Sequence, residues 1–372
     1  MYLVKAGESH GKAMIGILCD VPAGIKVDKN HINALLQERS FALGRSERQA
    51  IEQDEINIIT GIRNGYTIGN NVGFVVENSV HGDYEKIMSP FNCDTNIAQV
   101  TALRPGHADL PGICRGNFND ARNVLEGASA RNTCLNVVGG AVALSMLDML
   151  GIKIGVRVLS LGCERDENQY DFNQILSTKS PAYSLNQNFI DRCESLIKKA
   201  KNNGDTLGGT VEIVVSPIKK GFGFYAGEKR VNSVIAQDIM QIQSVKGLYF
   251  GENPFDFNGF GSNYHGTINN QDNGLNVNAS LSGGIDGGMT NGDYIKITVA
   301  LKPIPTTKKG LETIDIKTGE RAISAKERSD ITAVFASCSI LKCVVATAIT
   351  KVVTERIGCD NMTEIIKRYA DL

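Results

Sequence analysis

No covalent or metal staple is written into this chain. Its nine cysteines are odd in number and scattered, with no Cys-x-x-Cys pair and no histidine at the spacing of a zinc ligand, which predicts reduced thiols, no disulfide frame and no metal site. An excess of charge of one sign is missing too. The formal net charge is -1, with lysine and arginine spread evenly, so no basic stripe offers itself to nucleic acid. The opening residues Met1-Tyr2-Leu3-Val4-Lys5 lack the apolar run of a secretory leader, and the longest apolar stretch, around 137–147, is well short of a membrane span. These absences predict a soluble, cytoplasmic protein with neither membrane nor nucleic-acid partner. Proline-rich and serine-rich linkers are also absent, so residues 1–372 read as a single domain. With 42% hydrophobic residues in 372, a large core can form without staples.

The apolar patterning predicts mixed α+β structure. Met14 to Leu18 reads as a strand, Pro22-Ala23-Gly24 as a turn, and Asp28 as the N-cap of a helix that carries Ile32, Leu35 and Leu36 on one side and ends near Arg39. Two strands, Glu55 to Thr60 and Asn71 to Glu77, flank a turn at Arg63-Asn64-Gly65, and 79–102 shows no strong period and reads as loop. Ala130 to Leu150 is apolar on almost every face and reads as a buried helix. Lys153 to Leu161, Gly209 to Ile218 and Tyr294 to Leu301 alternate as strands, with a helix around Phe189 to Lys201 closed by Gly204. Val231 to Val245 and Asp330 to Arg356 read as further helices. Strand, proline turn and helix recur at 14–36 and 211–242, which hints at two similar halves.

The residues able to carry chemistry are few. Of only five histidines, His10 and His107 lie in glycine-flanked turns, Glu8-Ser9-His10-Gly11 and Arg104-Pro105-Gly106-His107-Ala108-Asp109, where small neighbours let a backbone approach a ligand. Imidazole gives or takes a proton near neutral pH, and beside anions it is pushed toward its charged form. Arg39, Arg48, Arg104, Arg131 and Arg328 could fork onto phosphate or carboxylate. Asp330 reads as an N-terminal cap of the last helix. The glycines of 283–288 precede a strand, so they fail the dinucleotide fingerprint, which joins a strand to a helix.

Those two histidine motifs occur in order with Arg39 to Arg48, Arg122-Asn123-Val124-Leu125-Glu126, Ser129-Ala130-Arg131, Asp286-Gly287-Gly288-Met289-Thr290-Asn291-Gly292, Lys302-Pro303-Ile304-Pro305-Thr306 and Glu327-Arg328-Ser329-Asp330. In these stretches the chain resembles the chorismate synthase family. The resemblance implies a helical layer sandwiched between antiparallel sheets, and a lyase that takes 5-enolpyruvylshikimate 3-phosphate to chorismate and phosphate by a 1,4 elimination with reduced flavin mononucleotide. It implies that His107 protonates the departing phosphate, that His10 protonates the reduced flavin and that Asp330 serves proton transfer at flavin N5. Substrate would be held by Arg39, Arg48, Arg104, Ser129, Arg131 and Arg328, and flavin by Arg45, Gln243, Ser244, Gly287, Lys302, Thr306 and Arg328. It further implies a homotetramer, with NADPH as an indirect reductant where a member reduces its own flavin. His31, His81 and His265 lie outside every matched motif and read as structural.

The chain departs from the family at Gly127, Ala128 and Asn132, where arginine, serine and glutamate are usual. Asn119, Glu38 and Glu47 also replace basic residues. Lost polar contacts to flavin predict weak cofactor binding, and they raise the alternative of a degenerate anion-binding relative. Both histidines and Asp330 argue against that alternative. A flavin oxidoreductase would need a nicotinamide site, which the sequence does not show.

Overall fold

Strands β1 (Tyr2–Ala6) and β2 (Ala13–Cys19) pair antiparallel, with Tyr2 opposite Cys19. The computed structural model describes residues 1–45, 54–91, 99–253, 257–271, 274–278, 281–324 and 329–372. After the turn at Pro22, α1 (Lys29–Ser40) starts where the Asp28 side chain accepts from the Asn30 amide, and it buries Ile32, Leu35 and Leu36 as the pattern predicts. Strand β3 (Ile56–Thr60) is followed by a small hairpin of β4 (Ile62–Arg63) and β5 (Tyr66–Thr67), and then by β6 (Val72–Glu77). At the hairpin tip Asn64 and Gly65 have φ of 51° and 76°, the left-handed pair that a tight two-residue turn requires. The first sheet has the order β1-β2-β6-β3 and is antiparallel throughout.

The expected loop of 79–102 contains, in its described part, the short helix α2 (His81–Tyr84). Helices α3 (Asp109–Gly116) and α4 (Arg122–Ala128) pack over a satellite cluster of Leu103, Ile113 and Ala121. Ala130–Asn132 forms one 3-10 turn before α5 (Thr133–Met149), nearly all of whose face is buried.

The second sheet takes β7 (Ile154–Leu161), β8 (Glu164–Arg165) and β9 (Gly209–Val215), with α6 (Phe172–Ser177) and α7 (Gln187–Asn202) in between. Helix α8 (Val231–Met240) stops short of its predicted end at Val245. Ser244 adopts a φ of 70°, which a helix cannot accommodate, and the chain leaves as β10 (Val245–Phe250). Helix α9 (Gly261–Tyr264) and the hairpin β11 (Thr267–Gln271) and β12 (Gly274–Asn278) follow. A second hairpin, β13 (Ile285–Asp286) and β14 (Met289–Thr290), turns at Gly287 and Gly288. Strand β15 (Ile295–Leu301) turns Ile295, Ile297, Val299 and Leu301 inward as its alternation predicts. The order β10-β15-β9-β7-β8 is again antiparallel.

Past the hairpin β16 (Glu312–Ile314) and β17 (Arg321–Ile323) comes α10 (Val334–Ile357), which starts later than the predicted Asp330. Asp330 is drawn away into an ion pair with Arg45, and the hydroxyl of Thr332 accepts from the Val334 amide instead. The chain closes with an unforeseen helix, α11 (Met362–Ala370), capped by Asn361. Helix α10 also corrects the reading of apolar runs, because its mean hydropathy of 1.6 over a long enough window would let it cross a membrane. That window is 89% buried inside the protein, as befits a core helix.

The core fills the space between the two sheets. Helices α1, α5, α8 and α10 pack on one another there, α5 against β1 and β2 and α10 against β7 and β9. This is the helical layer between antiparallel sheets that the motifs imply.

Candidate active site

Both histidines hang on buried carboxylates. The Nδ1 of His10 lies 3.0 Å from Glu126 Oε2, and the same oxygen accepts from the His10 main-chain N–H at 2.9 Å. Glu126 sits one turn after Arg122 on α4 and accepts from its Nη1 at 3.1 Å. Burial works to raise the Glu126 pKa, but hydrogen bonds and charge from His10 and the charge of Arg122 outweigh it, leaving the value lowered. The His10 ring stacks on Tyr84 of α2 with centroids 4.0 Å apart. His81 supports the same turn by bonding its Nδ1 to the His10 carbonyl, a structural role.

His107 repeats the arrangement. Its Nδ1 is 2.5 Å from Asp109 Oδ1, at the start of α3, and Asp109 also accepts from the main-chain N, Nε and Nη2 of Arg104 at 3.0, 2.9 and 3.0 Å. Asp109 is wholly buried. Burial pushes its pKa up, yet the hydrogen bonds from His107 and Arg104 hold it well below the usual carboxylate range. Arg104 reaches Thr306 with its remaining nitrogen.

The arginines divide. Arg39 is 3% exposed and gives its three nitrogens to Thr133, Asp54 and the Ala130 carbonyl, and burial lowers its pKa to about 10. It braces the loop before α5. Arg131 lies nearer the surface, with Nε on Asn78, Nη2 on the Glu77 carbonyl and Nη1 2.6 Å from the Asp54 carboxylate. Arg45 pairs with Asp330 at 2.5 Å. Arg48 and Arg328 lie outside the described residues, as does Glu47.

The expected flavin residues join the same network. Gln243 Nε2 bonds to the Ser129 carbonyl and to Asn132 Oδ1, while its Oε1 is buried without a partner among the described residues. Lys302 runs from the Ser244 carbonyl, which takes its main-chain N–H, to the Gly106 carbonyl, which takes its Nζ at 2.5 Å. Thr306 accepts the Ser329 hydroxyl beside Asp330. Asn78 in turn donates to the Glu8 and Gly11 carbonyls that frame His10. Residues dispersed over the sequence thus meet at one place. Gly287 is the exception: its hairpin contacts Gly223 and Arg230, and no bond joins it to the cluster among the described residues.

Asp54, Asn78, Tyr84 and Thr133 were not foreseen, and Asp109 and Glu126 carried no predicted role. The last two had a signal: a carboxylate two residues past a turn histidine, and an Arg–Glu pair one helical turn apart. Glu38, expected as a lost basic contact, instead accepts from the Tyr183 hydroxyl at 2.6 Å. A cavity of about 420 Å³ lies elsewhere, on the outer side of the second sheet around Arg157, Glu212 and Lys296. Arg157, Glu212, Lys296 and Glu252 there are already paired with one another.

Fold and site define an enzyme of the antiparallel-sandwich class in which two turn histidines each sit on a buried carboxylate that also takes an arginine. The chain belongs to the chorismate synthase family, whose family model matches residues 1–354. It is 38% identical to a chorismate synthase of Caldicellulosiruptor bescii, covering 99% of this chain and 98% of that one. It is 36% identical to a chorismate synthase of Caldanaerobacter subterraneus subsp. tengcongensis over 99% of this chain and 97% of the relative. A crystal structure of chorismate synthase superposes with a TM-score of 0.79 at 28% identity, covering all of this chain and 96% of the other.

Proposed function

We propose that the chain converts 5-enolpyruvylshikimate 3-phosphate to chorismate and phosphate, as a lyase with residues 1–372 acting as a single catalytic domain. One observation carries the residue assignments. His10, Arg131, Ser129 and Gln243 gather around Asn78 and the Ser129 carbonyl, and His107, Arg104, Thr306, Lys302 and Ser244 around Asp109 and the Gly106 carbonyl. The two groups adjoin at Gln243–Ser244, and the Arg45–Asp330 pair adjoins the second at Ser329, so residues from 10 to 330 of the sequence come together.

In this reading His107 holds the proton for the departing phosphate and His10 holds one beside the cofactor. Arg104 and Arg131, with Arg48 and Arg328, neutralise phosphate and carboxylates, and Ser129 completes the clamp. Arg39 then acts by fixing the Ala130 carbonyl and Thr133. Asp330 keeps its carboxylate beside Arg45 and takes the proton-transfer role.

The residues present fit reduced flavin mononucleotide. The orphaned Gln243 Oε1 is an acceptor for an imide N–H, Lys302 supplies a cation, and a Cβ on Gly127 would meet nothing within 4 Å. Arg45, Gln243, Ser244, Lys302, Thr306 and Arg328 would hold it, and Gly287 would join them from another part of the assembly. Bound reduced flavin supplies the electron that helps phosphate leave. NADPH would serve as an indirect reductant only where the chain reduces its own flavin.

Tyr2, Val4, Ile15 and Ile17 expose an apolar patch on the outer side of the first sheet, which supports a homotetramer. The eight described cysteines are free thiols, which supports a reducing, cytoplasmic setting. The test is anaerobic: purified chain, photoreduced flavin and substrate should yield chorismate. Substrate binding without chorismate would favour the degenerate reading instead.

A further inference from the structure

Two rings at different places in the chain are held in the same way. In each, Nδ1 faces a buried carboxylate, and an arginine holds the far side of that carboxylate: His10 with Glu126 and Arg122, His107 with Asp109 and Arg104. A carboxylate held by arginine is ionised and only accepts, so the hydrogen between ring and carboxylate must sit on Nδ1. Arg104 Nη2 lies 3.1 Å from His107 Nδ1, and two donors cannot bond each other, so that contact is packing. The Nε2 atoms make no hydrogen bond among the described residues, and neither is buried.

We propose that Glu126 and Asp109 are positioning residues for the reaction, each fixing the proton of its histidine on Nδ1 so that Nε2 is the nitrogen that exchanges a proton with the bound ligands. The proposal rests on His10 and His107 as the proton donors. The balance is simple: Nε2–H is given up, Nδ1–H stays, the imidazolium becomes neutral and the carboxylate remains ionised throughout. Other charged or titratable groups at His10 are Tyr84 stacked on the ring, His81 on its carbonyl and Arg122 behind Glu126. At His107 they are Arg104 and, on the Gly106 carbonyl, Lys302. In each case the carboxylate is the acceptor in direct contact with Nδ1.

Imidazole nitrogen NMR on the full chain tests this, with the two rings assigned among the five histidines by His10→Ala and His107→Ala. Both neutral rings should carry the proton on Nδ1. Glu126→Gln and Asp109→Asn should release that preference, so that the neutral ring of His10 or His107 carries a substantial share of its proton on Nε2 in its variant. In each variant kcat should fall while KM for the substrate stays near wild type, as expected when a proton donor loses its orientation and the substrate contacts are kept. Neutral rings protonated on Nε2 in the wild type, or variants that lower kcat while their rings keep the proton on Nδ1, would overturn the proposal. Four donors converge on Asp109, so if Asp109→Asn does not fold, Glu126→Gln and the wild-type proton position decide. Should the histidine variants keep full turnover while the NMR finds Nδ1–H, the proton-donor reading fails and the tethering stands.

Discussion

Arg131 and Asp54 face each other at 2.6 Å, and the same carboxylate also takes Arg39 at 3.3 Å. One buried anion thus restrains two arginines in the unliganded protein. Arg39 is walled in, whereas Arg131 is 13% exposed at its side chain and remains reachable for an incoming anion. Its guanidinium is set in orientation before any ligand arrives, which lowers the entropy lost on binding.

Arg131→Ala should therefore weaken substrate binding by roughly 2–5 kcal/mol, the cost of removing one partner from a desolvated charge pair. Arg48→Ala, at a position outside the described residues, should do the same. Calorimetric titration with substrate is the measurement, and an unchanged affinity would place the anion site elsewhere.

The proton donors should show the opposite split. Loss of general acid catalysis costs on the order of 10²–10⁴ in rate, so His10→Ala and His107→Ala should lose turnover while substrate affinity stays near wild type. Variants keeping more than about half of the activity would remove the assignment.

Flavin should bind loosely to the chain alone and tighten when substrate is added, because Gly127 and Ala128 stand where an arginine and a serine are usual in the family. Each missing hydrogen bond is worth about 1 kcal/mol, more when charged. Gly127 lies in α4 with open space around it, so Gly127→Arg with Ala128→Ser can be built without moving the backbone and should strengthen binding. Fluorescence titration with oxidised flavin mononucleotide reads both effects, and tight binding without substrate and no gain from the double variant would count against them.

Acid should weaken the fold through Glu126. Its pKa is lowered in the folded chain, so the stability it contributes is complete above its ordinary value of about 4.3 and is lost as pH falls through the lowered one. Glu126→Gln should flatten the dependence of the unfolding midpoint on pH between about 5 and 3. If the midpoints of variant and wild type fall in parallel over that range, Glu126 is not the group responsible.

The tightest helix contact gives a stability test. A Cβ on Gly140 of α5 would lie 2.2 Å from Cys343 Cβ and 2.5 Å from its main chain on α10. Gly140→Ala should therefore destabilise by about 1–3 kcal/mol, the usual cost of overpacking. Denaturant unfolding checks this, and an unchanged midpoint would mean that the two helices separate freely.

What could be read in the sequence was local or carried by motifs. Asp28, the Asn64–Gly65 turn and the alternation of β15 each depend on neighbours a few residues away, and all three stand as expected. The capping role of Asp330 failed because its partner, Arg45, is 285 residues distant. Asp54 and Asn78 were missed for the same reason, since nothing beside them in the chain marks them as partners of Arg131. Helix α8 was read too long because Ile242 and Val245 keep the apolar spacing, while the left-handed Ser244 leaves no compositional trace.

Helix α10 carries five hydroxyls that bond back to its own carbonyls: Ser337 to Val334, Ser339 to Ala336, Thr347 to Cys343, Thr350 to Thr347 and Thr354 to Thr350. These hydroxyls therefore ask nothing polar of their surroundings, and the buried part of the helix can be wrapped in apolar contacts. The two sheets lie on opposite sides of a helical layer built around it, so neither closes a core alone. Melting of one sheet strips the cover from the helices beneath the other, and the chain is expected to lose its structure in one cooperative step, with far-ultraviolet and tyrosine signals changing together.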